Sequence, residues 1–149
     1  MRKTCISVVT ALALGALCST AIGAESPTGR WKTIDDETGR TKSIVVIQSG
    51  PSGTLSGKVV QILQSDKGPH PLCDACDGER KNQPIEGMTI LWDLKPDGDH
   101  VWSGGTVLDP SKGKTYRAKL TLDEDGEKLQ LRGYIGIEAL GRTQTWLRE

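Results

Sequence analysis

The residues best suited to chemistry are Cys73 and Cys76, two thiols in the run Cys73-Asp74-Ala75-Cys76-Asp77-Gly78. This spacing admits three readings. In an oxidising compartment the two pair as a disulfide; closing so short a loop removes little unfolded-chain entropy, worth roughly 2 kcal/mol, so the bridge would chiefly stiffen the segment around it. A redox pair needs its first Cys at a helix N-terminus, where the dipole lowers the thiol pKa, and no strand-helix-strand pattern surrounds this one. A metal site would draw on His70, Cys73 and Cys76 with Asp74 or Asp77. Structural zinc, however, takes four nitrogen or sulfur ligands in paired knuckles, and the sequence has no second knuckle. A disulfide is the leading expectation, with no metal and no cofactor.

Other motifs lose their chemistry when their spacing is checked. Gly113-Lys114-Thr115 imitates the end of a phosphate-binding loop, but the full pattern wants Gly five residues earlier, where Leu108 stands. Asp123-Glu124-Asp125-Gly126-Glu127 lacks the ligand spacing of a calcium loop and reads as a solvated turn. With two histidines, His70 and His100, no Ser-His-Asp arrangement can be argued, so no catalytic residue is assigned and enzyme activity is left unsupported rather than excluded. The chain balances 19 basic against 19 acidic residues, which argues against nucleic acid, whose binders need a strongly basic face. Phe is absent and aromatics are 4%, too few for base-stacking platforms.

The first two dozen residues address the protein. Arg2 and Lys3 precede an apolar run from Ile6 to Leu17, and small residues follow to Ala24. That order is a signal peptide; a run of about a dozen apolar residues is too short to span a bilayer, which takes about 20. Ala21 and Gly23 place cleavage after Gly23, giving a signal over 1–23 and a mature domain over 24–149. A lipid-attachment reading through Cys18 is weakened by Leu17, where that signal wants a small residue. The protein is therefore expected in the periplasm or secreted, not membrane-spanning, and Cys5 and Cys18 leave with the signal.

What must position any site is a set of short strands. Turn signals recur at Asp35 to Gly39, Gly50 to Gly53, Pro96 to Gly98, Asp109 to Gly113 and Asp123 to Gly126, each with Gly or Pro where a turn needs it. Between them the period is two: Tyr116, Ala118, Leu120 and Leu122 alternate with polar residues, as do Leu129, Leu131, Gly133, Ile135 and Ile137, while Val101, Ser103, Gly105 and Val107 share one parity. Runs at 29–35, 41–48, 54–64, 87–94, 99–108, 114–122, 128–137 and 141–148 predict about eight strands, the number that closes an up-and-down barrel just wide enough for side chains or one small ligand. The fold expected is all-β, a single small antiparallel barrel, with residues 66–86 as one long irregular connection. Ile44-Val45-Val46-Ile47 is apolar on both faces, so one face needs a cover, and a homodimer contact is one candidate.

Gly29-Arg30-Trp31 at the start of the first strand and Trp146-Leu147-Arg148 on the last resemble the lipocalin and calycin pattern. That resemblance implies Trp31 as a plug closing one end of the barrel, with Arg148, or alternatively Arg142, laid across its ring. The wider set, including the cysteine run, Trp102 through Asp109-Pro110, Gly113-Lys114-Thr115-Tyr116, Leu131-Arg132-Gly133-Tyr134-Ile135-Gly136 and Gly141-Arg142-Thr143-Gln144-Thr145-Trp146, resembles the exported bacterial family known as domain of unknown function 2147. It implies a lipocalin-like barrel and is silent about chemistry. The function expected is a binding module for a small apolar or amphipathic ligand, lined by Val59, Val101, Val107, Tyr116, Leu120 and Leu131, with Trp92, Trp102 or Tyr134 as contributors and the cysteine loop near the entrance. The alternative is a non-enzymatic structural or interaction protein of the cell envelope with a filled barrel.

Overall fold

The computed structural model describes residues 26–149, and the expected signal peptide over 1–23 lies outside them. Eight strands are present: β1 (Gly29–Ile34), β2 (Thr41–Ser49), β3 (Leu55–Ile62), β4 (Thr89–Pro96), β5 (Val101–Asp109), β6 (Lys114–Leu122), β7 (Lys128–Tyr134) and β8 (Arg142–Arg148). Each pairs antiparallel with the next, and β8 returns to β1 through Trp31↔Arg148 and Lys32↔Leu147. The sheet is a closed all-β barrel, so no edge is left to recruit another chain. Up-and-down order sends the connections 35–40, 63–88, 110–113 and 135–141 to one end. The turns 50–54, 97–100 and 123–127 and the chain from Ser26 lie at the other, with Arg148.

Strand alternation decides which side chains meet inside. Trp31 opposes Val45, Val45 opposes Val59, Leu120 opposes Leu131 and Leu129 opposes Trp146. These residues are buried and belong to one continuous core with Leu55, Leu91, Leu94 and Leu122. Two expectations need correction. The regular alternation from Val101 to Val107 is broken by a register shift between Trp102 and Gly105. An extra residue in a strand inverts parity beyond it, so Val107 points inward while Val101, paired with Thr121, does not. On β7 the strand ends at Tyr134, not at Ile137. Gly136 turns the chain at φ 74°, a short 3-10 turn follows at Glu138–Leu140, and Ile135 and Ile137 are 70% and 64% exposed. In the run from Ile44 to Ile47, Val45 and Ile47 face the core and Ile44 on the other face is 1% exposed within the single chain. That leaves Val46, half-buried, as the surface a homodimer contact at this run would use.

The connection over 63–88 is less irregular than its composition predicts. Ile85 N donates to Pro71 O, Cys73 N to Gln83 O and Asn82 N to Cys73 O, and Leu72 bridges Pro84, so the segment folds back on itself as a small hairpin. It reaches the outer side of β4, where Arg80 sits 4.8 Å from the ring centre of Trp92.

Candidate functional site

The two ends of the barrel are built differently. At the end where β1 begins, Trp31 is fully buried and its indole N–H donates to Pro27 O at 2.8 Å. The Arg148 guanidinium lies 4.3 Å from the Trp31 ring centre and donates to Gly126 O, Thr28 O and Ser26 O at 2.5, 3.1 and 2.9 Å. A cation held over an aromatic face and anchored by carbonyls is a strong local seal. Gly29 is required beneath it: its φ is +127°, and a Cβ would stand 3.0 Å from Arg148 Nη1. Arg142, the other candidate partner for Trp31, is at the opposite end of β8.

At that opposite end the barrel opens into a cavity of about 590 Å³, within the range of small-molecule sites. Val59, Val107, Leu131 and Trp146 give it apolar walls, and Thr33, Ser43, Tyr116 and Gln144 add hydroxyl and amide groups. The Thr33 and Ser43 hydroxyls lie 2.8 Å apart on adjacent strands, both buried. Gln144 Oε1 accepts a hydrogen bond from the Trp146 indole at 3.4 Å. Among the described residues every buried side-chain polar atom has a partner, so these groups can exchange partners with a ligand without having been left stranded beforehand.

The rim is charged. Arg142 reaches from β8 across to the 35–40 turn, donating to both Asp36 carboxylate oxygens and to Glu37 Oε1 at 3.0 Å. Burial alone would raise the Asp36 pKa, but the hydrogen bond from Arg142 overrides it and the net shift is downward. The Arg142 guanidinium is correspondingly held charged, by the hydrogen bond to Asp36 first and that to Glu37 second. Asp35 organises the turn itself. It accepts from the Thr38 hydroxyl and amide, both at 2.8 Å, and its pKa falls to about 2, chiefly through the Thr38 hydroxyl.

The cysteine segment borders the same end. Cys73 and Cys76 are placed so that a disulfide joins them, Cα–Cα 5.3 Å, and both are buried. Cys73 Sγ lies 3.3 Å from Pro110 O, in the β5–β6 turn. Gly113 in that turn has φ +63°, and a Cβ there would meet Ala75 O at 1.8 Å; only glycine lets the two backbones approach so closely. Pro71 and Ile85 from this connection reach the cavity wall. His70 lies instead beside a separate outer depression of about 560 Å³ between β3 and the connection. His100 closes the 97–100 turn at φ 58°, at the sealed end. Among the described residues no group of three His, Cys, Asp or Glu is placed to hold a metal ion.

Of the lining expected from alternation, Val59, Val107, Tyr116 and Leu131 reach the cavity. Leu120 is fully buried nearer the sealed end, and Val101 is on the other parity beyond the β5 shift. Trp92 and Tyr134 face outward, under Arg80 and Arg117 respectively, and Trp102 packs on the core beside Leu120. Sequence reading passed over Thr33, Ser43 and Gln144. Thr33 could have been found by parity, two residues after Trp31, had polar residues been admitted to the interior.

A family model described as an uncharacterised protein conserved in bacteria, domain of unknown function 2147, matches residues 29–148. Among solved structures, protein HP1028 from the human pathogen Helicobacter pylori, described as belonging to the lipocalin family, is similar at TM-score 0.71 and 20% identity, over 83% of each chain. At that identity the likeness shows the shared fold. No match is found among curated proteins.

Proposed function

This chain belongs to the bacterial family of domain of unknown function 2147, and on its lipocalin-like barrel we propose an exported binding protein that holds one small amphipathic molecule in the open end. The observation that carries the reading is the cavity of about 590 Å³ above a sealed floor. A barrel of eight strands can be filled completely by side chains, and this one is not. The mixture of walls specifies the cargo class. An alkyl or ring portion fits against Val59, Val107 and Leu131, and a hydroxyl, carboxyl or amide group meets Thr33, Ser43, Gln144 and Tyr116. Export is supported by the Arg2-Lys3 start, the apolar run and the Ala21-x-Gly23 end of the leader.

The test is native mass spectrometry of the mature protein purified from its own cell envelope, repeated after denaturation and organic extraction. The expected result is a co-purifying mass at one per chain, with a mature N-terminus at Ala24. Leu131→Trp, which fills the cavity from β7, is expected to release that mass and to lower affinity for an anilinonaphthalene sulfonate probe by more than about tenfold, while the fold survives because the added ring enters existing space. An empty wild-type protein whose probe binding is insensitive to Leu131→Trp would sink the carrier reading.

A further inference from the structure

We propose that the outer face of β6, β7 and β8, with the 135–141 loop at its top, docks the open end of the barrel onto a membrane surface carrying anionic lipid headgroups. Ile135, Ile137 and Leu140 are 70%, 64% and 82% exposed, grouped on one loop beside the mouth. Solvent-exposed apolar groups on a mobile coil would be unremarkable, but this loop is held. Arg132 donates to Glu138 O at 2.8 Å, to Ala139 O at 3.1 Å and to Thr143 Oγ1 at 2.7 Å. The apolar tip is thereby presented in advance, so inserting it costs little ordering.

The charge below the tip selects the occupant. β6, β7 and β8 contain no Asp or Glu. Their outward positions bring Lys119 opposite Arg132 and Arg117 opposite Tyr134, in successive cross-strand pairs leading up to the loop. Arg117 stands 6.0 Å from the Tyr134 ring centre, and the carboxylate that reaches this face is Glu138, 3.0 Å from Lys119 Nζ. A rigid apolar tip with basic groups and a tyrosine just behind it matches a bilayer interface, where acyl chains take the tip and anionic headgroups take the cations. Three side chains are too few for a stable protein interface, which buries about 1,200 Å² or more. Of the acidic groups lining the mouth, Asp36 and Glu37 pair with Arg142 at the start of β8, Asp35 pairs with Lys42 and Asp109 with Lys112, which leaves Asp66 on the 63–88 connection. Docked this way, the mouth faces the lipid.

The proposal is independent of the cargo reading, because vesicle binding can be measured on protein stripped of any small molecule. The experiment is co-sedimentation of the purified mature protein with vesicles of phosphatidylglycerol and phosphatidylcholine, and with phosphatidylcholine alone. Binding is expected on the anionic vesicles, to weaken with added salt and to be about tenfold or more weaker on the neutral ones. Ile135→Ser/Ile137→Ser/Leu140→Ser is expected to weaken binding by about tenfold, and Arg117→Gln and Lys119→Gln by about fivefold each. Ile135, Ile137, Leu140 and Arg117 are exposed, and Lys119, 31% exposed, gives up one surface pair with Glu138; unfolding midpoints should therefore move little, which separates lost docking from lost folding. The proposal is overturned by absence of binding to anionic vesicles, by equal binding of the triple-serine variant, or by a concentration-dependent dimer that the same variant abolishes without any vesicle binding by the wild type.

Discussion

The sealed and open ends of this barrel are made from the same strands and differ in how completely their groups are satisfied by one another. At the seal, Trp31 fills the bore, and Arg148 covers it with its charge anchored by carbonyls from the chain before β1 and from the β6–β7 turn. At the mouth, charges pair across loops in partial solvent, with Arg142 and Glu37 side chains 47% and 73% exposed, and a void remains that packing would ordinarily remove. Exposed pairs contribute little to stability, and unfilled volume costs it. The difference teaches where the fold is secured and where it is left open.

The largest effect expected from this contrast comes from the seal. Trp31→Ala should destabilise by about 3 to 5 kcal/mol, as removal of a fully buried aromatic does, read as a lowered urea midpoint with unchanged slope. A near-neutral result would mean that the seal does not secure the barrel and would remove the contrast. Arg148→Met keeps an apolar stem over the ring and removes the charge and its bonds to Gly126, Thr28 and Ser26; a loss of about 2 kcal/mol is expected. Arg142→Met makes the matching change at the mouth, where a loss of about 0.5 kcal/mol is expected from exposed pairs. Equal losses for the two arginines would erase the distinction between the ends.

The seal was legible only through the resemblance of Gly29-Arg30-Trp31 and Trp146-Leu147-Arg148 to the lipocalin pattern, which left Arg142 open beside Arg148; the structure shows what each residue supplies there, a positive φ at Gly29, a fully buried ring at Trp31 and the Arg148 cation at its face. The strands of β6 and most of β7 were legible from the residues themselves, since Tyr116 to Leu122 and Leu129 to Gly133 keep an unbroken period of two. Parity failed where an inserted residue resets it. The shift between Trp102 and Gly105 leaves Val101 outside the lining, and nothing in Val101-Trp102-Ser103-Gly104 announces on which side of the shift the count restarts. The end of β7 was hidden because Ile135 and Ile137 continue the apolar alternation after the hydrogen-bonding has stopped. The cavity was illegible for a different reason. Its volume depends on the difference between bore size and the summed side chains around it, a small remainder of large terms distributed over all eight strands.

The smallest effect tests whether the mouth responds to acid while the seal does not. Asp35 has its pKa lowered from 3.8 to about 2, through the Thr38 hydroxyl and amide first and Lys42 after them, and Asp36 is lowered by Arg142 against its own burial. A carboxylate depressed in the folded state contributes stability that is complete above its unfolded pKa and is lost as pH falls through the folded one, which for Asp35 is the window from 3.8 to about 2. Amide shifts of Glu37 and Thr38 should therefore titrate in that window, while those flanking Trp31 stay fixed. Asp35→Asn should abolish the response at Thr38. Arg142→Met should move the Asp36 response to higher pH and leave Asp35 unchanged, because Asp35 is held by its own turn. Added salt should imitate Arg142→Met in part, since screening weakens an exposed ion pair more than a short hydrogen bond within one turn. A Thr38 response that follows Arg142→Met would show that the rim titrates as one coupled network, and the independence of turn and strand at the mouth would have to be given up.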